Sequence, residues 1–156
     1  MEHPETDAEK RARYRKRLEQ HEAAVEGVRR SFDIDAFIAD VAETLEVEVP
    51  DLAYLRERQR IEALVDARAL SDDAFEKALA TLEPQFIVVK YKRLTNEDIL
   101  QLNRIKDDGE RGLQTLYLFL SKADPSITYE KLKAIDPLLT SRISRAITEQ
   151  TPLFLP

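Results

Sequence analysis

The sequence predicts a mainly α-helical protein with a minor two-stranded β element and a projecting N-terminal helix. Glycine is scarce, with 3 residues in 156, whereas strong helix formers are abundant. Apolar residues recur at helical spacing over most of the chain, and only two short segments change to a strand pattern. Residues 1–30 are dense in charge and have too few large apolar side chains to enter a core.

Residues 1–30 are predicted to be a charged helical arm, partly mobile. The few large apolar residues between Ala8 and Arg30, among them Leu18 and Val25, make a stripe that suits a partner helix better than a core. The arm also contains six clustered basic residues: Lys10, Arg11, Arg13, Arg15, Lys16 and Arg17. Such a cluster can bind nucleic acid through counterion release. Because acidic residues surround it and the net charge is -6, we interpret the cluster as a solvated helix face and do not expect nucleic acid as the partner.

Two segments of the body, residues 31–150, carry strand signals. Residues 45–49 (LEVEV) alternate strictly between apolar and acidic and are bounded by Pro50. Residues 86–94 are rich in β-branched and aromatic side chains. An antiparallel pairing of the two segments would place Glu46 and Glu48 near Lys90 and Lys92. The edges of so small a sheet favour pairing with another copy, so a homo-oligomer is an open expectation.

The rest of the body follows helical spacing. Phe37, Val41 and Leu45 predict a first helix capped by Ser31 or Asp33. Further helices are predicted over 51–70 and from Ser71 to the proline at 84. Beyond residue 94, Thr95 begins a capping-box-like start. The remaining predicted helices are grouped around Leu113–Leu120, around Leu132 with Ile135, and after the Asp136-Pro137 start.

No constellation of residues predicts catalysis, so we expect a protein that is not an enzyme and has no cofactor. The chain has no Cys, and both His residues, His3 and His21, lie in the arm, without the packed surroundings of a base or a metal ligand. Residues 107–110 (DDGE) lack the ligand spacing of a calcium loop, and we interpret them as a turn. No apolar run is long enough for a membrane span, which favours the cytoplasm.

Protein binding remains as the expected function. The last helix has an apolar side, and a segment at 151–156 forms an apolar tail, which either folds back over the core or contacts a partner. The candidate partner-binding residues are Leu139, Ile143, Ile147, Leu153, Phe154 and Leu155.

The order of elements from Phe86 onward resembles the tail assembly chaperones of long-tailed bacteriophages and related prophages. The resemblance covers residues 86–150. The segments that carry it are 90–95 (KYKRLT), 97–102 (EDILQL), 124–132 (DPSITYEKL), 135–137 (IDP) and 143–149 (ISRAITE). The charged arm has no counterpart in it.

The resemblance implies a small helical protein of the host cytoplasm that binds the tape measure protein, or another long helical protein, and keeps it soluble during tail assembly. An acidic amphipathic protein in many copies could cover the apolar stripes of such a partner. Two alternatives stay open. One is a helical regulatory protein that associates with nucleic acid through the basic arm, and the other is a structural connector or completion protein of the virion.

Overall fold

The computed structural model describes residues 3–151 and confirms the mainly α-helical fold. Over this part of the chain, 64% of residues are helical and 9% lie in a two-stranded antiparallel sheet. The elements in chain order are α1 (Asp7–Ala24), α2 (Ile34–Val41), β1 (Thr44–Pro50), α3 (Leu52–Asp66), α4 (Asp72–Thr81), β2 (Phe86–Lys92), α5 (Asn96–Asn103), α6 (Asp108–Ala123), α7 (Tyr129–Ala134) and α8 (Pro137–Gln150). They divide into two compact units, one up to Asp33 and one from Ile34 onward.

The first unit contains helix α1, which local interactions stabilise. The Glu9 N–H donates to the Thr6 hydroxyl at 3.2 Å, and the Thr6 N–H donates to the Glu9 carboxylate at 3.1 Å, forming a reciprocal capping box. Arg13 forms a salt bridge of 2.8 Å with Glu5. Helix α1 has no buried residue, and Leu18 is exposed. The apolar side chains of this segment therefore lose little of their surface to contacts within the described residues.

The second unit is built around the β1–β2 pair. Val47 lies opposite Val89 and Glu46 lies opposite Lys90, so one of the anticipated Glu–Lys pairs is directly across the ladder. The other is not, because Lys92 faces Thr44. Strand β2 ends at Lys92, earlier than the predicted residue 94, since β1 has no residue beyond Thr44 to continue the ladder.

One face of the sheet packs on helices α6 and α8. The buried core residues there are Val47, Val49, Tyr91, Leu116, Phe119, Leu120, Leu132, Ile143 and Ile147. The Tyr91 and Phe119 rings meet edge to face at 5.8 Å between centroids, a favoured aromatic geometry. The Tyr91 hydroxyl shares a hydrogen bond of 2.8 Å with the Thr151 hydroxyl, which joins the sheet to the end of α8.

Helices α2 and α4 contribute no buried residue. The apolar spacing predicted one helix through Leu45, but the helix ends at Val41 and Leu45 belongs to β1. Within α4, Phe75 and Leu79 of the predicted apolar side are exposed, and Ala78 is half-buried. Helical spacing located both helices but not the end of α2, and it did not distinguish a core-facing stripe from one on the surface.

An ion pair joins helices α5 and α6. The buried Asp98 carboxylate accepts hydrogen bonds from the N–H and hydroxyl of Thr95 and from the Lys122 ammonium. Burial alone would raise the pKa of Asp98, but these hydrogen bonds, with Lys122 foremost, outweigh it and hold the pKa below its ordinary value. Across residues 3–151, no helix is long and apolar enough to cross a membrane.

Candidate partner-binding groove

An open apolar groove of about 640 Å³ runs along strand β2, and we call it the β2 groove. One wall is the edge of the strand at residues 88–90, and the floor includes Leu120 from α6 and Ile143 from α8. The far wall is the α6–α7 turn with helix α7, where Ile127 is half-buried and Ile135 is 40% exposed. A groove open to solvent with apolar walls is typical of a site that binds another chain.

The register shows which backbone groups of β2 face the β2 groove. The Asp51 N–H donates to the carbonyl of Gln85 directly opposite it, so this pair is hydrogen-bonded across the ladder. Hydrogen-bonded and non-hydrogen-bonded pairs alternate in an antiparallel ladder. Phe86, Val88 and Lys90 therefore occupy the non-hydrogen-bonded pairs and direct their N–H and C=O groups away from β1.

No hydrogen bond from within residues 3–151 reaches these outward backbone groups of β2. The side chains of the same residues lie on the face of the sheet opposite the core, where Phe86 is 58% and Val88 is 55% exposed. An edge strand with free donors and acceptors is a template for another strand.

The outer edge of β1 is less available than the edge of β2. Pro50 occupies one of its outward-facing positions and has no N–H to donate. The Gln150 side chain donates to the outward carbonyl of Glu46 at 3.2 Å, so the end of α8 satisfies part of this edge. This hydrogen bond also shows that the Glu46 carbonyl points away from β2, as the alternation of the ladder requires.

The turn that forms the far wall is held by its own polar groups. The Asp124 carboxylate accepts hydrogen bonds from the Ser126 N–H at 3.0 Å and the Ser126 hydroxyl at 2.6 Å. These bonds lower the pKa of Asp124. The Lys131 ammonium donates to the Ser126 carbonyl at 3.1 Å. Helix α7 and the turn are thereby joined before any ligand binds.

Helix α7 lies between two capping residues, Thr128 at its own start and Asp136 at the start of α8. The Thr128 hydroxyl accepts from the Lys131 N–H, and Leu132 anchors the helix in the core. Asp136 then begins α8, and its carboxylate accepts from the Leu138 N–H and from Arg56 of α3. The bond from Leu138 first, and that from Arg56 second, hold the pKa of Asp136 below its ordinary value. The preceding residue, Ile135, is thus fixed at the rim of the β2 groove.

The β2 groove has a cationic rim in a chain of net charge -6. Lys90 and Lys131 line it together with the single carboxylate of Asp124. Within the described part of the chain, no carboxylate lies within 4 Å of the Lys90 ammonium. The β2 groove can therefore bind apolar side chains and one or two carboxylates.

The predicted partner-binding residues occupy different environments. Ile143 and Ile147 are buried in the core, and Leu139 is half-buried against it. Ile143 and Ile147 therefore pack inside the protein's own core, although Ile143 also contributes to the groove floor. Leu153, Phe154 and Leu155 lie outside the described residues.

The basic cluster of the arm surrounds helix α1 rather than forming one face. At 3.6 residues per turn, positions 10–17 point in all directions around the axis, and all six basic side chains are exposed. Helix α1 carries four acidic residues beside them. Over residues 3–151, no group of three or more His, Cys, Asp or Glu residues is arranged to hold a metal ion.

A second cavity, of about 520 Å³, lies between α6 and α8. Its walls are mainly hydroxyl-bearing and small residues such as Gly112, Thr115 and Ser144. No strand edge and no basic side chain lines this cavity, so it has fewer features that could select a partner.

No family model, no curated protein and no solved structure matches this chain.

The exposed members of the β2 groove, such as Val88 and Ile135, are not among the partner-binding residues that the sequence predicts. A signal for Val88 was present, because FIVV in residues 86–89 is apolar at both strand parities and so predicts an apolar outer face as well as an inner one. Ile135 was assigned to the apolar side of a short helix. Its position at a groove rim depends on where β2 lies, which local sequence does not specify.

Proposed function

We propose that this protein is an assembly chaperone that binds another protein through the β2 groove, and that its partner is the tape measure protein of a phage tail or a similarly long helical protein. The observation that carries the proposal is the β2 groove, a preformed apolar surface beside a strand edge that no other segment of residues 3–151 pairs with. The acidic, highly charged remainder of the chain suits a protein that keeps an apolar partner in solution. The resemblance at residues 86–150 to tail assembly chaperones supports a tape measure protein as the partner.

The test is co-expression with a candidate tape measure protein, the long helical open reading frame expected directly downstream of this gene. The intact chain should raise the soluble fraction of that protein several-fold. Ile135→Asp puts an unpaired charge on the rim of the groove and should abolish the increase. Leu100→Asp is the matched control, because Leu100 is 63% exposed on α5 and does not line the groove.

Two results would contradict the proposal. One is that the intact chain does not solubilise the partner. The other is that Ile135→Asp and Leu100→Asp solubilise it equally well. The same experiment with Leu153, Phe154 and Leu155 changed to Ser measures the predicted contribution of the apolar tail.

An alternative function is nucleic-acid association through helix α1, and the exposure of its six basic side chains favours it. Their distribution around the whole helix and the four acidic neighbours weaken the case. Binding of short duplexes that falls steeply with rising salt would support this alternative. Presence of the protein in purified particles would instead support a structural virion role.

A further inference from the structure

We propose that the partner of the β2 groove is an extended segment that adds a third strand antiparallel to β2, with apolar side chains toward α6 and α7 and acidic side chains on the outer face. This inference deepens the proposed partner-binding function and depends on it. It names the backbone edge, the orientation and the sequence pattern of the bound segment.

Strand β2 has a hydrogen-bonding edge that residues 3–151 leave free. Val88 and Lys90 direct their N–H and C=O groups into the groove, and no group of residues 3–151 satisfies them. An extended chain satisfies such groups at their natural spacing, whereas a helix has already used its own backbone donors and acceptors. The edge therefore selects a strand rather than a helix.

The floor and far wall of the β2 groove leave room for the side chains of an added strand. Side chains of an added strand would alternate between the outer face and the apolar groove, which has room for them beside Ile127 and Ile135. A second copy of β2 would not fill this space, because the inner side chains of β2, such as Tyr91, are already buried against helix α6 of their own chain. The groove therefore fits a segment without its own core.

The charge pattern of β1 indicates which side chains suit the outer face beside β2. Strand β1 pairs with the opposite edge of β2 and has the alternation LEVEV, with valines toward the helices and Glu46 opposite Lys90. On the outer face, Lys90 therefore already has an acidic residue, Glu46, opposite it on the β1 side. No carboxylate of the described residues lies within 4 Å of the Lys90 ammonium. A segment with the β1 pattern would place a glutamate beside Lys90 on the outer face.

The test uses a synthetic peptide with the sequence LEVEV between two serines, both ends blocked, titrated into the full chain and followed by amide chemical shifts. We expect saturable binding, with the largest shifts at Val88, Lys90 and Ile135. Val88→Pro removes an outward donor that the β1 ladder does not use, and it should weaken binding at least tenfold. Glu48→Pro is the matched control on the outer edge of β1, and it should leave the dissociation constant unchanged within twofold.

Two modified peptides keep the test decisive if a proline variant does not fold. Residues opposite one another in an antiparallel ladder share a face, so the glutamates of the bound peptide lie opposite Val88 and Lys90 on the outer face. The N–H and C=O groups of these glutamates point toward β2, whereas those of the valines point away from it. N-methylation of the two glutamates should abolish binding, and N-methylation of the two valines should leave it within about threefold. Any other pattern, or no saturable binding of the unmodified peptide, overturns the proposal.

This proposal and the proposed function fail in different ways. If the peptide does not bind but co-expression still solubilises the helical partner in a manner sensitive to Ile135→Asp, strand addition is wrong and the chaperone function stands. If the peptide binds in the expected pattern but the helical partner stays insoluble, the strand site stands and the chaperone function is wrong.

Discussion

Asp98 shows how a single polar residue joins two helices of this protein. Its carboxylate caps α5 through Thr95 and at the same time accepts a hydrogen bond from Lys122 of α6. Tyr91 has a similar role between β2 and the end of α8 through the Thr151 hydroxyl. Because these groups are buried or half-buried, their hydrogen bonds constrain geometry more than the exposed salt bridges on α1 or α3 do.

Asp98→Asn should lower the free energy of unfolding by about 2 kcal/mol at pH 7, because the charge-assisted bonds to Thr95 and Lys122 are lost. The pKa of Asp98 is lowered in the folded state, so this stability is present above the ordinary carboxyl pKa and is lost as the pH falls through the lower folded value. The difference between wild type and variant, measured by urea unfolding, should therefore shrink below about pH 4.

Asp108→Asn is the control for this prediction, because the Asp108 side chain is almost fully exposed in its salt bridge with Arg111. It should change the free energy of unfolding by less than about 0.5 kcal/mol. If Asp98→Asn also changed the free energy of unfolding by less than this amount at every pH, the α5–α6 ion pair would not stabilise the fold.

Tyr91→Phe should lower the free energy of unfolding by about 1 kcal/mol through loss of the hydroxyl pair with Thr151. Thr151→Val removes the same bond from the other side. The double variant should cost less than the sum of the two single ones, because both remove one interaction. Strict additivity in the double-mutant cycle would mean that the end of α8 is not held to β2 by this bond.

At the scale of elements, strands were easier to predict than the environment of helices. The alternation at 45–49 and the β-branched run at 86–94 identified both strands, and their charges suggested the pairing. Ile143 and Ile147 were correctly placed on the apolar side of α8, but spacing could not reveal that the sheet covers that side. The exposed edge of β2 follows from one long-range hydrogen bond, Asp51 to Gln85, which no local pattern specifies.

The Glu46–Lys90 pair allows a test of the observed register. Lys90→Glu places two carboxylates in a non-hydrogen-bonded pair, where side chains are closest, and should lower the free energy of unfolding by about 0.5–1 kcal/mol. Adding Glu46→Lys restores opposite charges and should recover most of the loss in thermal unfolding. Recovery by Thr44→Lys instead would indicate a shifted register, because Thr44 lies opposite Lys92.

At the scale of the whole molecule, the two compact units differ in what stabilises them. Among residues 3–151, every buried core residue lies in the second unit, and the first of them along the chain is Val47. Helix α1 has a capping box and the Arg13–Glu5 salt bridge but no buried side chain. A chain of this kind is expected to keep its fold when the first unit is removed.

Deletion of residues 1–30 should therefore leave cooperative unfolding intact, with a midpoint within a few degrees of the full chain. The reason is that removing exposed residues such as Leu18 and Val28 takes away almost no buried apolar area. Circular dichroism during heating measures this directly. A broad, non-cooperative transition in the shortened chain would show that the arm belongs to the core.

The most direct test of partner binding through the β2 groove is backbone amide exchange on the full chain, alone and bound to a solubilised tape measure protein. The account predicts that the amides of Val88 and Lys90 exchange quickly in the free chain and become strongly protected in the complex, while the amide of Glu48 on the other strand does not change. Unchanged exchange at Val88 and Lys90 in a stable complex would contradict it and would place the partner elsewhere on the molecule.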